Sequence, residues 1–182
     1  MEFTPFPKMP RLMRDIVVTE KIDGTNASIT ITEEGLFLTA SRNRYVVPGD
    51  DNFGFSFWAH QNKEELMKLG VGTHFGEWYG SKIGRGYGMN EKRFALFNTH
   101  RWSDDAVRPA CCDVVPVLYT GPFHMEHVHE CLNVLQVKGS CLVPGFMRPE
   151  GIVVFHTAAN NCFKVTIVND GIPKSQAAKE AA

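Results

Sequence analysis

The sequence predicts an α+β fold, a core of mainly antiparallel sheets flanked by helices, and three observations carry that reading. Apolar and β-branched residues alternate with polar ones over 16–32, as half-buried strands require. Two segments, 55–69 and 124–137, space their apolar residues at helical intervals instead. Short β-branched runs return at 151–155 and 162–168, and no repeat or low-complexity segment interrupts the pattern.

Taken in order, 16–32 reads as two β runs around Gly24, a hairpin or tight strand pair with Ala27, Ile29 and Ile31 alternating along the second run. Residues 36–41 continue as a strand, and the polar 42–53 holds Pro48-Gly49-Asp50-Asp51, a loop signature. Phe55, Trp58, Ala59, Leu66 and Leu69 form a helical stripe that ends before Gly70 and Gly72. A short strand at 73–79 precedes the glycine-rich 80–90, read as a mobile loop. Strands follow at 94–98 and 114–119, the second marked as an edge by Pro116, which has no N–H for a ladder. The helix over 124–137 sets Val128, Leu132 and Leu135 on one side. Strands at 151–155 and 162–168 complete one domain over 1–170, and 171–182, rich in Lys, Ala, Gln and Glu, is expected to fray.

The 182 residues suit one sizeable core, and 43% hydrophobic with 21% charged residues is ordinary for a globular chain. A net charge of −1 excludes coating nucleic acid by bulk charge, so any polynucleotide contact must be local. Cys111, Cys112, Cys131, Cys141 and Cys162 are odd in number and lack C-x-x-C spacing, which fits reduced thiols in the cytoplasm. No apolar stretch reaches membrane-spanning length, and the start of the chain, with Pro5, Pro7 and Pro10, lacks the apolar centre of a signal peptide. A cytoplasmic protein without a membrane partner is the expectation; oligomeric state is not legible.

The chemistry concentrates in Glu20-Lys21-Ile22-Asp23-Gly24-Thr25-Asn26. Alone, a strand lysine between two carboxylates is equally well explained as a solvated edge with charge pairing. It has company, however. Lys-x-Asp-Gly resembles the nucleotidyl-acceptor motif shared by DNA ligases, RNA ligases and capping enzymes, and the form running from Thr19 to Asn26 is similar to the RNA-ligase branch. Ser41-Arg42-Asn43-Arg44 resembles the arginine-bearing segment of that family, and Phe75-Gly76-Glu77-Trp78-Tyr79-Gly80 its acidic, ribose-gripping motif. Phe94-Ala95-Leu96-Phe97-Asn98 is similar to the aromatic motif that stacks on the base. Pro149-Glu150-Gly151-Ile152-Val153-Val154 resembles the Glu-Gly motif and Cys162-Phe163-Lys164-Val165-Thr166 the closing lysine motif. The segments keep the family's order across 17–167. Thr166 departs from the pattern, since many relatives carry a second lysine there.

The resemblance implies a nucleotidyltransferase (ligase adenylation) core, ATP-grasp-like, in an ATP-dependent RNA-type polynucleotide ligase. Many members carry an extra domain, whereas here the sequence reads as a bare core with no OB-fold or other appended domain. Lys21 would attack the α-phosphate of ATP and carry AMP. The AMP would pass to a 5′-phosphate end, and a 3′-hydroxyl would then displace it, so the partners are RNA or DNA ends. Mg²⁺, with Mn²⁺ as an alternative, would assist. Free lysine, with pKa ~10.4, is protonated at neutral pH and cannot attack phosphorus. Such a site must favour the neutral amine, through burial or a neighbouring cation such as Lys164 or the metal.

The same resemblance puts Glu20, Lys21, Arg42, Glu77, Phe97, Val153 and Lys164 at the nucleotide. Lys164 would neutralise the α-phosphate, Glu77 would accept ribose hydroxyls, and Phe97 and Val153 would cover the two faces of adenine. Glu150 would orient the metal, Arg42 would fork onto a phosphate, and Asn26 would serve end joining. Plain alternatives stay open: a salt bridge from Glu77 to Arg42 or Lys82, core packing for Phe97 and Val153, a turn for Asn26. A GTP-dependent capping-type guanylyltransferase and a nucleotide-binding module without ligation remain rivals. Lys82, Arg85 and Arg93 are candidate contacts to a polynucleotide backbone. His124, His127, His129 and Cys131 suggest a metal cluster on paper, but helical geometry turns His129 away and favours ordinary surface.

Overall fold

The computed structural model describes residues 1–171, so the expected frayed tail lies outside the described residues apart from Gly171. β1 (Asp15–Lys21) and β2 (Thr25–Ile31) follow the two predicted runs, but they form no hairpin. β1 sits inside a four-stranded antiparallel sheet between β8 (Val117–Pro122) and β9 (Gly151–His156), with β10 (Asn161–Thr166) at the far edge. β2 sits in a six-stranded sheet between β3 (Phe37–Ser41) and β5 (Gly72–Gly80). That sheet extends outward to β4 (Tyr45–Val46) on one side and through β6 (Lys92–Leu96) to β7 (Cys112–Val114) on the other, the last pair being parallel.

Residues 22–24 are therefore a crossing between sheets. Ile22 is buried among Tyr79, Tyr87, Ala95 and Val115 and pins the crossing. Gly24 serves close approach here, not a reversal of direction: a Cβ there would stand 2.4 Å from the Trp78 carbonyl oxygen and 3.0 Å from Glu77 Cγ. Gly24→Ala must push two strands apart, and the expected loss is about 1–3 kcal/mol, the usual cost of overpacking, read as a lowered thermal unfolding midpoint.

The strand predicted at 114–119 also divides. Pro116 separates β7 from β8, which end up as outer strands of different sheets, so its edge assignment holds while the single strand does not. The predicted 55–69 helix breaks at Asn62 into α1 (Phe55–Gln61), α2 (Lys63–Leu66) and a 3₁₀ turn, Met67–Leu69. The Asn62 side chain donates to the Trp58 carbonyl at 2.8 Å and competes with the helix there. A short α3 (Thr99–Trp102) follows β6, and α4 (Met125–Lys138) matches the predicted second helix.

One apolar layer holds each sheet to its helices. Ile29, Ile31, Trp78, Phe94 and Leu96 of the larger sheet pack on Phe55, Ala59 and Leu66. Ile16, Val18, Ile152 and Val154 of the smaller one pack on Val128, Cys131 and Leu135 of α4. Side-chain alternation then leaves each sheet a second face, and on the larger sheet that face carries Tyr79 and Ala95, which cluster with Ile22 of the crossing. Among the described residues no helix is long and apolar enough to cross a membrane.

Candidate active site

Register decides which side chains share the open faces. Lys21 pairs with Gly151 and Thr19 with Val153, while Val153 pairs in turn with Lys164 and Gly151 with Thr166. Directly paired residues point to one side of a sheet, so Lys21, Val153, Lys164 and Thr166 share the face away from α4. On the larger sheet, Asn26 pairs with Glu77 and Glu77 with Ala95, which places Asn26 and Glu77 on the face away from α1.

Lys21 Nζ donates to Glu150 Oε2 at 2.6 Å, with the lysine side chain 22% exposed and the glutamate 2%. Glu150 is held at the mouth of β9 because Gly151 follows it. Gly151 has φ 154°, and a Cβ there would lie 2.1 Å from the Val165 carbonyl oxygen, so only glycine lets β10 close beside it. Glu77 is buried and accepts from the Gly24 N–H at 3.1 Å and from Asn26 Nδ2 at 3.0 Å. Burial pushes its carboxyl up to about 7, against the opposing pull of Lys21 and the Gly24 N–H; Glu150 and Asp23 add to the rise. The salt bridge to Arg42 or Lys82 considered for Glu77 is not formed: its partners are Gly24 and Asn26.

Other sequence candidates land less centrally. Phe97 stands just past β6, 40% exposed, its N–H given to the Phe75 carbonyl at 3.0 Å. Val153 is half-buried and Lys164 exposed on the edge strand. Arg42 is exposed just beyond β3, and Arg44 forks onto Asp50 at 2.9 and 2.8 Å. Glu20 points into the opposite face from Lys21, 1% exposed, where its carboxylate accepts the N–H groups of Cys141 and Leu142 at 2.8 and 3.0 Å. Burial raises its pKa over the opposing hydrogen bonds. Its side chain thus clamps the 140–142 segment to β1. Thr166 bonds to Val168 and Asp170, which leaves Lys164 as the cation of that motif.

The glycine-rich 80–90 stretch, expected to be mobile, is folded onto the Lys21 crossing. Ile83 and Tyr87 are buried, and Asp23 donates its N–H to the Tyr87 hydroxyl at 2.8 Å. Gly84 abuts the Asp23 backbone, and Arg85 pairs with the Asp23 carboxylate at 3.2 Å. Two apolar anchors among the glycines were the available signal. Arg93 is likewise not a free phosphate contact, since it forks onto Asp113 at 2.6 and 2.8 Å. On α4, His127 stacks on Tyr119 and reaches Glu130 while Cys131 is buried in the core, so those residues do not converge.

The sequence matches no curated protein. Solved structures do match. A point mutant of Naegleria gruberi RNA ligase with ATP and Mn aligns with a TM-score of 0.59 at 16% identity, over 84% of this chain and 49% of that one. A second mutant of the same protein, with AMP and Mn, gives 0.58 at 17% identity over 85% and 50%. An archaeal ATP-dependent RNA ligase gives 0.60 at 18% identity over 90% and 48%. The chain spans about half the length of the structures it matches, and at these identities the likeness is one of fold. The family model for RNA ligase matches residues 14–166, from the residue before β1 to the last residue of β10. That stretch takes in both sheets and the whole of the Lys21 site, and the chain belongs to the RNA ligase family.

Proposed function

We propose that this chain is the adenylylating core of an ATP-dependent RNA ligase, acting through Lys21. The observation that carries the reading is the pairing of Lys21 Nζ with the buried Glu150 at 2.6 Å, on the open face of one sheet, with the Glu77–Asn26 pair on the open face of the other. The lysine nitrogen forms a bond to the α-phosphorus of ATP and the bond from that phosphorus to pyrophosphate breaks; of the two protons the ammonium gives up in becoming a phosphoramidate N–H, the first passes to Glu150 Oε2 and the second goes to the departing pyrophosphate or to water. Lys164, on the same face, balances charge on the phosphate, and Glu77 takes the ribose hydroxyls on the lone pairs that Gly24 and Asn26 leave open. Val153 and Phe97 flank the base, and Arg42 meets a phosphate. AMP then moves to a 5′-phosphate RNA end, and a 3′-hydroxyl displaces it.

A divalent cation fits this site in one mode. Among the described residues no three His, Cys, Asp or Glu side chains gather as a metal cage. Glu150 offers one hard oxygen donor, which suits Mg²⁺ or Mn²⁺ held by a single carboxylate together with substrate phosphates. Such an ion supplies charge neutralisation at the phosphates. We also read the two sheets, open face to open face across the nucleotide, as ATP-grasp-like, and the five free thiols support a cytoplasmic setting.

The test is incubation with ATP or GTP labelled at the α-phosphate, followed by denaturing electrophoresis. ATP should leave label on the chain that survives alkali and is released by acid, as a phosphoramidate is. Label from GTP alone would instead establish the capping-type reaction, and label from neither would leave only a nucleotide-binding module.

A further inference from the structure

A concavity lies behind the larger sheet, on the face opposite Glu77. It is a groove of about 440 Å³ whose walls include Phe53, Phe57, Trp58 and Trp78, with Lys82 and Lys92 at its rim. Phe53 and Phe57 are 50% and 56% exposed, which is uncommon for two neighbouring phenyl rings with a core beside them. The backbone is built to hold them there. Phe53 adopts φ 55°, a left-handed conformation that a bulky residue takes only when its surroundings enforce it. Its carbonyl accepts from both Trp78 Nε1 at 3.1 Å and Lys92 Nζ at 2.7 Å, and Asp51 accepts the N–H groups of Gly54 and Phe57 at 3.1 and 3.0 Å. Asp51 is thus turned inward onto the backbone, and Lys82 stands exposed at the rim with φ 61°.

The groove is joined to the Lys21 crossing by short, rigid links. Asn52 Nδ2 donates to Thr25 Oγ1 at 2.5 Å, the Trp78 carbonyl backs onto Gly24, and the 80–90 stretch that carries Lys82 is the one whose Arg85 pairs with Asp23.

We propose that this aromatic groove holds an unpaired nucleobase of the polynucleotide substrate, with the adjoining phosphate on Lys82. Exposed rings flanked by lysines match a flat π-surface carrying a negative charge, which a nucleotide within a single strand presents at every step. A base inside a duplex has both faces occupied by its neighbours, so the occupant is single-stranded. The identity of this occupant rests on the ligase reading above, whereas the groove itself does not involve Lys21, Glu77 or Glu150.

The experiment measures fluorescence anisotropy of a short labelled single-stranded oligoribonucleotide titrated with the full chain, with Phe57→Ala and with Lys82→Asn, the asparagine being chosen because it tolerates the left-handed backbone. Phe57→Ala should weaken binding about five- to a hundredfold, the range for loss of one stacking partner. Lys82→Asn should lower the slope of log affinity against log salt by about 0.7, one single-strand phosphate contact. A blunt duplex of the same length, and free AMP, should compete poorly. Unchanged affinity in both variants, equal binding of duplex, or full competition by AMP would overturn the proposal; a thermal unfolding midpoint shared by parent and variants shows that the fold is intact, and should Phe57→Ala unfold, Lys82→Asn decides alone. Self-labelling by ATP needs no oligonucleotide. A chain that labels but loses no affinity in either variant defeats the groove alone, and one that fails to label while both variants weaken binding defeats the ligase reading alone.

Discussion

Lys21→Ala should abolish covalent transfer of AMP to the chain, with no label above background after incubation with ATP. Alanine removes the amine that donates to Glu150 at 2.6 Å. Lys164 shares the face but lies two strands away, on β10, while Lys21 is on β1; at ~4.8 Å between strands that is ~10 Å, so in the proposed role it meets the phosphate from another side and not in line with the departing pyrophosphate. The alanine variant also deprives the buried Glu150 of its cation, which by itself destabilises the site. Lys21→Arg separates the two effects, because a guanidinium keeps the positive charge beside Glu150 yet stays protonated and cannot act as a nucleophile. Both variants should therefore be inert, and only the alanine variant should shift in thermal unfolding. Full labelling of either would remove Lys21 from the mechanism.

What was legible in the sequence follows from which interactions are local. Alternation along β1 and β2 comes from backbone geometry, so Ala27, Ile29 and Ile31 were assigned to one face and are buried together in the core of the larger sheet. Strand partnership is a long-range matter. Nothing within 16–32 reveals that β1 will pair with residues near 119 and 153 while β2 pairs with residues near 40 and 76, and the short Gly24 segment read as a hairpin for that reason. Gly24 looked like turn punctuation, whereas its actual constraint is the Trp78 carbonyl, 54 positions along the chain.

The site divides in the same way. Lys21, Glu77 and Glu150 stood out as charged residues in apolar surroundings and inside ordered motifs, and the fold brings them to facing surfaces. Glu20 has the same chemistry and the same motif, but strand alternation turns it to the other face, where two backbone N–H groups occupy it. Its neighbour Tyr87 was hidden in a stretch whose glycines suggested mobility, although a buried phenol that receives the Asp23 N–H is what fixes the crossing beside Lys21.

Glu77 should make the reaction pH-dependent through neutrality, and the direction can be worked out. Its folded pKa, about 7, exceeds the ordinary 4.5 chiefly because burial penalises the carboxylate, so between those values the folded chain binds a proton that the unfolded chain has released. The stability this contributes is fully present below about pH 4.5 and is lost as pH rises through about 7, roughly 3 kcal/mol in all. Nucleotide binding runs the other way. In the proposed role the carboxylate accepts two ribose hydroxyls, while Lys21 from β1, Glu150 from the mouth of β9 and Asp23 from the crossing set its field. The rate of self-adenylylation at low ATP should thus climb from about pH 6 to about pH 8 as the chain itself becomes less stable, and ATP binding near pH 7 should release a proton, measurable by calorimetry in buffers of differing ionisation enthalpy. Glu77→Ala should lower kcat/KM for ATP about 10²- to 10⁴-fold, since two hydrogen bonds to a charged acceptor contribute roughly 1.5–3 kcal/mol each. Glu77→Gln is the sharper probe. The Asn26 amide can turn to present its oxygen to the new amide group, so the scaffold survives while the titration disappears. Both pH dependences should vanish together in that variant. A parental profile that is flat through neutral pH, or a slope that persists in Glu77→Gln, would place the titrating group elsewhere and withdraw the ribose assignment from Glu77.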